Sequence, residues 1–151
     1  MNRAMKTARD ILQVKGHEIW SIGPDATVYE ALQLMADKNA GAVLVLDDGE
    51  LVGILSERDY ARKVILKGRA SRETPVREIM TEKVVCIHPD TLIEVCMELM
   101  TDKRIRHLPV CEDDRLVGVV SIGDVVNAII AEQRYIISQL RAFHDYDLPN
   151  R

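Results

Sequence analysis

Two stretches of the sequence decide the fold: Gly53-Ile54-Leu55-Ser56-Glu57-Arg58-Asp59 and Gly118-Val119-Val120-Ser121-Ile122-Gly123-Asp124. In both, two apolar residues lead from a glycine to a serine, and an aspartate follows three residues after the serine. This order predicts a strand that ends at the serine and a helix that the serine caps. The aspartate would then lie in the first helical turn, near the positive end of the helix dipole. We call these two stretches the Ser-Asp motifs.

The Ser-Asp motifs belong to an internal repeat. Residues 22–65 align without a gap on residues 87–130, and 15 of the 44 aligned positions are identical. Each copy predicts a strand (18–22 or 84–87), a helix after a Thr-x-x-Glu capping box at Thr27 or Thr91, a hairpin with an acidic turn, and a closing helix. The closing helices are predicted over 57–67 and from 122 to about 143. Because two copies are too few for an open solenoid, we expect a closed pseudo-two-fold pair.

The predicted organisation has five parts. They are an N-terminal helical segment (1–17), a first repeat (18–67), a linker and lead-in (68–82), a second repeat (83–131) and a C-terminal helix extension (132–151). The N-terminal helix is expected over about 3–14, and both terminal helices carry an apolar stripe. Each stripe packs either on its own repeat or at a dimer interface, and the sequence leaves both possibilities open.

Composition excludes several classes of protein. The chain has 151 residues, of which 47% are hydrophobic and 29% charged, so it can bury a core and is no disordered tail. Its six aromatic residues predict an aliphatic core. The net charge of −4 argues against a dedicated nucleic-acid binder, and no apolar run approaches the roughly 20 residues of a membrane helix. Three cysteines without a C-x-x-C pair predict structural thiols in the cytoplasm.

A carboxylate at a strand–helix corner has two possible uses. Helix capping alone explains one Ser-Asp motif, but it explains less well why both copies keep the glycine, the hydroxyl and the carboxylate. Such a carboxylate can also accept two hydrogen bonds from the hydroxyls of a ribose. The serine hydroxyl and the helix N–H groups can bind a phosphate or ribose oxygen. The repeated motif therefore indicates a nucleotide site. The four histidines form no zinc-ligand pattern, so no metal site and no catalytic histidine are predicted.

The repeat order, the Ser-Asp motifs and the string Arg106-His107-Leu108-Pro109-Val110 together resemble the CBS domain family over about residues 18–131. The resemblance implies the α/β (α+β) class, with two β-α-β-β-α repeats packed through their sheets and extra helical segments at both ends. It also implies a regulatory, signal-transducing module without enzymatic activity. In the family, adenine nucleotides bind in two clefts between the repeats.

The resemblance implies two sets of binding residues. The set for the first cleft is Ser56, Glu57, Arg58, Asp59, Val85, Arg106, His107 and Pro109. The set for the second cleft is Ser121, Ile122, Gly123, Asp124, Ile19, Trp20, Gly41 and Ala42. In the first cleft, Asp59 is expected to hold the ribose, while Arg58, Arg106 and His107 meet the phosphate.

The second cleft departs from the first in charge and size. Gly41 and Ala42 stand at the repeat positions of Arg106 and His107, and Trp20 stands at that of Val85. We therefore expect AMP in the first cleft, with ADP or ATP as related ligands. A longer ligand such as NAD(H) would suit the second cleft. Expected partners are a second copy in a homodimer and a separate regulated protein. The alternative function is a protein- or nucleic-acid-interaction adaptor that binds no small molecule.

Overall fold

A computed structural model describes residues 4–147 of the chain and the side chains of residues 4–144. Within this range the labelled helices and strands follow in the order α1 (Ala8–Lys15), β1 (Ser21–Ile22), α2 (Val28–Lys38), β2 (Ala42–Asp47), β3 (Glu50–Ser56), α3 (Glu57–Tyr60), α4 (Ile93–Lys103), β4 (His107–Glu112), β5 (Arg115–Ser121) and α5 (Ile122–Asp147). A π-helical turn at Ala61–Ile65 follows α3, and a 3₁₀ turn at Val76–Glu78 precedes the second repeat.

The described chain forms two compact units. Residues 18–85 make up the first-repeat unit, and residues 4–17 with 86–147 make up the second-repeat unit. The first-repeat unit holds a sheet in the order β1-β2-β3, with β1 parallel to β2 and β2 antiparallel to β3. The second-repeat unit holds the antiparallel pair β4-β5. The predicted mixed α/β fold is confirmed.

Aliphatic side chains form both cores, as the composition predicts. In the first-repeat unit, α2 and the closing π-helical turn cover the sheet, and the linker joins this core through Val76 and Ile79. Its fully packed members are Val28, Ala31, Met35, Val43, Val45, Leu55, Val64, Val76 and Ile79. In the second-repeat unit the corresponding buried side chains include Ile93, Cys96, Met100, Leu108, Val110, Val120, Val125 and Ala128.

The two hairpins confirm the predicted acidic turns. Asp48 and Gly49 have positive φ angles of 49° and 84°, and Asp113 and Asp114 have positive φ angles of 52° and 61°. Two-residue turns with positive φ at both positions match the right-handed twist of the flanking strands. Asp114 thus adopts a left-handed conformation where the first repeat has a glycine.

The predicted strand at 84–87 is wrong. Only Ile87 pairs with β4, as an isolated bridge to Val110. In the first repeat, Leu44 of β2 donates its N–H to the Trp20 carbonyl at 2.9 Å and so extends the parallel pairing. Pro109 stands at the position of Leu44 and has no N–H to donate. The pairing therefore stops at Ile87.

Two other local predictions need correction. Thr27 caps α2 and accepts a hydrogen bond from the Glu30 N–H, but Thr91 does not cap α4. Thr91 Oγ1 instead accepts the N–H of His88 at 3.1 Å, and α4 begins one residue later, after Leu92. The closing helix predicted over 57–67 is also interrupted, because α3 ends at Tyr60 and a π-helical turn continues the chain to Ile65.

The N-terminal helix lies on the second-repeat unit. It begins at Ala8, later than predicted, after a capping box between Thr7 and Asp10; position 3 of the predicted range lies outside the described residues. Ala8, Ile11 and Leu12 are buried there, and Ala8 and Arg9 donate N–H groups to the carbonyls of Thr91 and Pro89. The apolar stripe of α1 therefore packs on the second repeat and not on the first repeat, which follows it in sequence.

The last helix has a buried start and an exposed end. Val125 and Ala128 are buried in the second-repeat unit, but no side chain from 129 to 144 is buried. Among residues 4–147, no helix combines the length and the apolar character needed to cross a membrane.

Candidate functional site

The first Ser-Asp motif forms a reciprocal capping box at the β3–α3 corner. Ser56 Oγ accepts the N–H of Asp59 at 3.1 Å, and Asp59 Oδ2 accepts the N–H of Ser56 at 3.0 Å. The other carboxylate oxygen, Oδ1, accepts the Thr81 hydroxyl at 3.4 Å and lies 3.3 Å from Lys63 Nζ. The Asp59 side chain is 15% exposed, so it is held in place but reachable from one side.

The second Ser-Asp motif repeats this box at the β5–α5 corner. Asp124 donates its N–H to Ser121 Oγ at 3.2 Å, and Asp124 Oδ2 accepts the N–H of Ser121 at 2.8 Å. Lys15 Nζ also donates to Oδ2, at 2.6 Å. Asp124 Oδ1 accepts no hydrogen bond from any residue in the described range 4–147. Capping and charge pairing together use one oxygen of Asp124, and the other remains available to a hydroxyl group.

Each hairpin brings the residues before its first strand next to its own Ser-Asp motif. Ala42 pairs with Ser56 across β2–β3, and His107 pairs with Ser121 across β4–β5. The carbonyl of Gly41 accepts the N–H of Glu57 at 3.0 Å, and that of Arg106 accepts the N–H of Ile122 at 2.8 Å.

The remaining predicted residues divide between the two units. Ile19, Trp20, Arg58 and Val85 belong to the first-repeat unit, and Pro109 and Gly123 belong to the second. Lys38 Nζ lies 4.7 Å from the centroid of the Trp20 ring, so one ring face already carries a cation. Both predicted cleft sets combine residues of both units, and these pairings across units stay predictions.

Sequence reasoning missed three side chains that contact the two carboxylates: Lys15, Lys63 and Thr81. The repeat contained a signal for two of them. The same shift of 65 residues that aligns the repeats places Lys15-Gly16-His17 on Met80-Thr81-Glu82. Each of these lead-in segments packs beside a Ser-Asp motif: residues 80–81 lie beside β3, and residues 15–17 lie beside β5. Extending the alignment upstream of residue 22 would have pointed to both segments.

The pKa values of two side chains at the second Ser-Asp motif, Asp124 and His107, are shifted by burial and by neighbouring groups. Burial acts to raise the pKa of the Asp124 carboxyl, but hydrogen bonds from Lys15 and Ser121 bring that pKa below its usual value. Burial is also the main reason why the pKa of His107 is lowered, and the nearby charges of Lys15 and Arg106 lower it further. Asp124 is therefore ionised and His107 neutral at pH 7.

Two further observations concern reactive groups in the described range. Cys96, a buried thiol of α4 whose pKa burial raises to about 11, is a poor nucleophile. Within the described range, no three His, Cys, Asp or Glu side chains group closely enough to hold a metal ion.

Comparison with known proteins gives the family. The CBS domain model matches residues 7–66 and 76–131, which together are most of the chain. The chain belongs to the CBS domain family. As a CBS domain pair it is a regulatory module of a kind that often binds adenine nucleotides.

Three similar proteins also carry CBS domains. The CBS domain-containing protein CBSX3 of Arabidopsis thaliana, a mitochondrial protein by name, is 44% identical over 91% of this chain and 71% of its own length. A protein with CBS domains from Burkholderia ambifaria has a TM-score of 0.82 and 47% identity, over 84% of this chain and 96% of its own. The CBS domain pair of protein MJ0100, solved with 5′-methylthioadenosine and S-adenosyl-L-methionine, has a TM-score of 0.73 and 25% identity, over 83% of this chain and 96% of its own.

Proposed function

We propose that this CBS pair senses adenine nucleotides, binding the ribose through Asp59 and Asp124 and passing the signal to another protein without catalysis. The observation that carries the proposal is the repeated capping box, which fixes a half-buried carboxylate at the same corner of both units. Capping uses only Oδ2 in each box. The second oxygen faces a hydroxyl donor at Asp59 and is open at Asp124, and a ribose hydroxyl supplies the same kind of donor.

The proposed ligands differ between the two carboxylates. We assign AMP, or the related ADP or ATP, to the set around Asp59, with Arg58, Arg106 and His107 as phosphate contacts. NAD(H) is assigned to the set around Asp124, with Trp20 as a stacking ring. The adenosine compounds bound to the MJ0100 pair support an adenosine ligand in general. The predicted cytoplasmic location gains no support from the mitochondrial name of the Arabidopsis relative and stays a prediction.

The first test identifies what the protein carries and what it binds. Freshly purified protein is denatured, and mass spectrometry identifies any small molecules released. Calorimetry then measures binding of AMP, ADP, ATP, NAD(H) and S-adenosyl-L-methionine. A ligand present at about 100 times its Kd adds roughly 2.7 kcal/mol to the free energy of unfolding, which a melting scan detects. Absence of both binding and thermal shift for every compound would refute the proposal and favour the adaptor function.

Variants locate the binding. Asp59→Asn and Asp124→Asn keep an amide oxygen that can cap the helix but lose the carboxylate that accepts two ribose hydroxyls. Each variant should lose one binding event while still unfolding in a single cooperative transition without ligand. Asp37→Ala, at an exposed position of α2, is the matched control and should bind as the wild type does. Unchanged binding in both motif variants would contradict the roles proposed for these aspartates.

The exposed end of α5 supports the second part of the proposal, a homodimer. Large apolar side chains stay exposed along this helix, and most of them lie three, four or six residues apart, which places them on a common face: Ile122, Val126, Ile130, Ile136, Ile137, Leu140 and Phe143. Pairing with a second copy would cover them. Light scattering should show a dimer that Leu140→Glu converts to a monomer, whereas Gln139→Glu, an added charge at the neighbouring exposed position, should leave the dimer intact. A monomeric wild type would contradict this part.

A further inference from the structure

The lead-in segment places a lysine beside the second Ser-Asp motif, and nothing in that motif encodes it. Lys15 Nζ donates to Asp124 Oδ2 at 2.6 Å and to the Val119 carbonyl at 2.9 Å. Its position is fixed from both sides. Leu12, one helical turn earlier, packs against Gly118, and His17 Nδ1 lies 2.8 Å from the Val117 carbonyl. Lys15 is therefore held along β5 and differs from a freely moving surface cation.

The lysine changes the net charge of the site. Asp124 alone would repel a phosphate, which carries a charge of about −1.5 to −2 near pH 7. Lys15 neutralises the aspartate, with Lys15 Nζ 2.6 Å from Asp124 Oδ2. The two side chains together carry no net charge, and without Lys15 the negative charge of Asp124 would be uncompensated.

One N–H donor of the Lys15 ammonium group is free to bind a ligand. An ammonium group carries three N–H donors. Two of them are used by Asp124 and Val119, and no acceptor within the described range takes the third. The Lys15 side chain is 35% exposed, so an incoming oxygen atom can reach it. An anionic oxygen would form a charge-assisted hydrogen bond there, and a neutral group would gain less.

We infer that Lys15 is a specificity-determining residue of the second-repeat unit, where it selects phosphate-bearing adenosine ligands over uncharged ones at the Asp124 site. This inference rests on the proposed function and refines it. The role belongs to the lead-in segment of the second-repeat unit only. The first repeat has the uncharged Met80 at the matching position, and the lysine beside Asp59, Lys63, comes from the helical segment that follows it. Lys15 adds one cation to the set around Asp124, which Gly41 and Ala42 predict to be less cationic than the set around Asp59.

The test compares NAD⁺, whose pyrophosphate is anionic, with adenosine in protein that carries Asp59→Asn, so that the remaining binding belongs to Asp124. In this background Lys15→Met should weaken NAD⁺ binding about tenfold, which is the size of one lost charge-assisted hydrogen bond. Adenosine binding should stay the same. Lys15→Arg keeps the charge and should keep most of the preference for NAD⁺. Lys6→Met removes an exposed lysine from the same lead-in segment and should have no effect.

Each other outcome is informative. Tighter binding of both ligands by Lys15→Met would mean that the lysine competes with ribose for Asp124, and equal weakening of both would mean a structural role; either result overturns the inference. Unchanged affinities overturn it as well. If Asp59→Asn alone abolishes NAD⁺ binding, the Asp124 site takes no NAD⁺ and this inference fails, while the proposed function survives at Asp59. If the wild type binds no adenine nucleotide, the proposed function itself fails.

Discussion

Asp59 and Asp124 lie in equivalent capping boxes, but the lysine that pairs with each of them comes from a different part of the chain. Lys63, four residues after Asp59 in the same helical segment, lies 3.3 Å from its carboxylate. The repeat position of Lys63 in the second copy is Ala128, which is buried in the core. Asp124 instead pairs with Lys15, 109 residues away in sequence. Both carboxylates are thus neutralised, but only the one at Asp124 depends on a distant segment.

The lead-in segments show the same divergence in their packing. Met80 and Thr81 lie over Gly53 of β3, and Leu12 lies over the matching Gly118 of β5. Met80 is half-buried, whereas Leu12 is 1% exposed. The two repeats therefore conserve a close approach of a lead-in segment to a strand glycine, but the second unit makes it part of its core.

The largest expected effect comes from removing Leu12. Leu12→Ala leaves a cavity over Gly118 and should lower the free energy of unfolding by about 2–5 kcal/mol. Met80→Ala removes a half-buried side chain and should cost only about 1 kcal/mol. Urea denaturation of both variants measures the difference. Equal losses would show that the two lead-in contacts are energetically equivalent and would remove the contrast between them.

The glycines test the same contact from the strand side. A Cβ atom at Gly118 would lie 2.7 Å from Leu12 Cδ2, a buried atom with nowhere to move, so Gly118→Ala should cost about 1–3 kcal/mol. A Cβ atom at Gly53 would lie 2.6 Å from Met80 Sδ, near the flexible end of a half-buried side chain that can rotate away, and 3.1 Å from the Thr81 carbonyl oxygen, which would have to shift by only a few tenths of an ångström. Gly53→Ala should therefore cost less. Urea midpoints decide the order, and a larger loss for Gly53→Ala would contradict it.

The features that could be predicted from the sequence are local ones. Strand–turn–strand periodicity specified both hairpins, and Thr27 and Ser56 specified their caps, because these signals act within a few residues. The repeat also located both Ser-Asp motifs. Pro109 prevented the expected second copy of β1, an effect of a single missing N–H that an apolar pattern does not reveal.

The features that could not be predicted depend on distant contacts. The N-terminal helix packs on the second-repeat unit, and neither its apolar stripe nor its place in the sequence specifies that destination. Lys15 was missed for the same reason, since its acceptor is far along the chain. The sequence alone thus identified the carboxylates of the candidate site but not the cations that neutralise them.

Lowering the pH should reduce the stabilisation that ionised Asp124 gives through its contact with Lys15. The pKa of Asp124 is lower in the folded protein than its ordinary value near 3.8, so ionised Asp124 stabilises the fold. That stabilisation is complete above about pH 4 and is lost as the pH falls through the lowered folded value. Asp124→Asn should therefore be less stable than the wild type at pH 7, and the gap in urea midpoint should narrow below pH 4. A difference in urea midpoint that does not change with pH would show that the charge of Asp124 contributes nothing to stability.

The smallest expected effect is a change in the pKa of His107, on which the charges of Lys15, Arg106 and Asp124 act. Burial lowers the pKa of His107 most, Lys15 and Arg106 lower it further, and Asp124 raises it. Lys15→Met removes one lowering charge, so the pKa of His107 should rise, whereas Asp124→Asn should make it fall. Histidine ring resonances followed by NMR from pH 5 to 8 measure both changes, with His107→Gln to assign the signal. His88, which lies beside Asp90 and Glu112 in the same unit, serves as an internal control. If Lys15 and Asp124 act through charge, the two variants must shift His107 in opposite directions, and a shift in the same direction for both would indicate a change in burial instead.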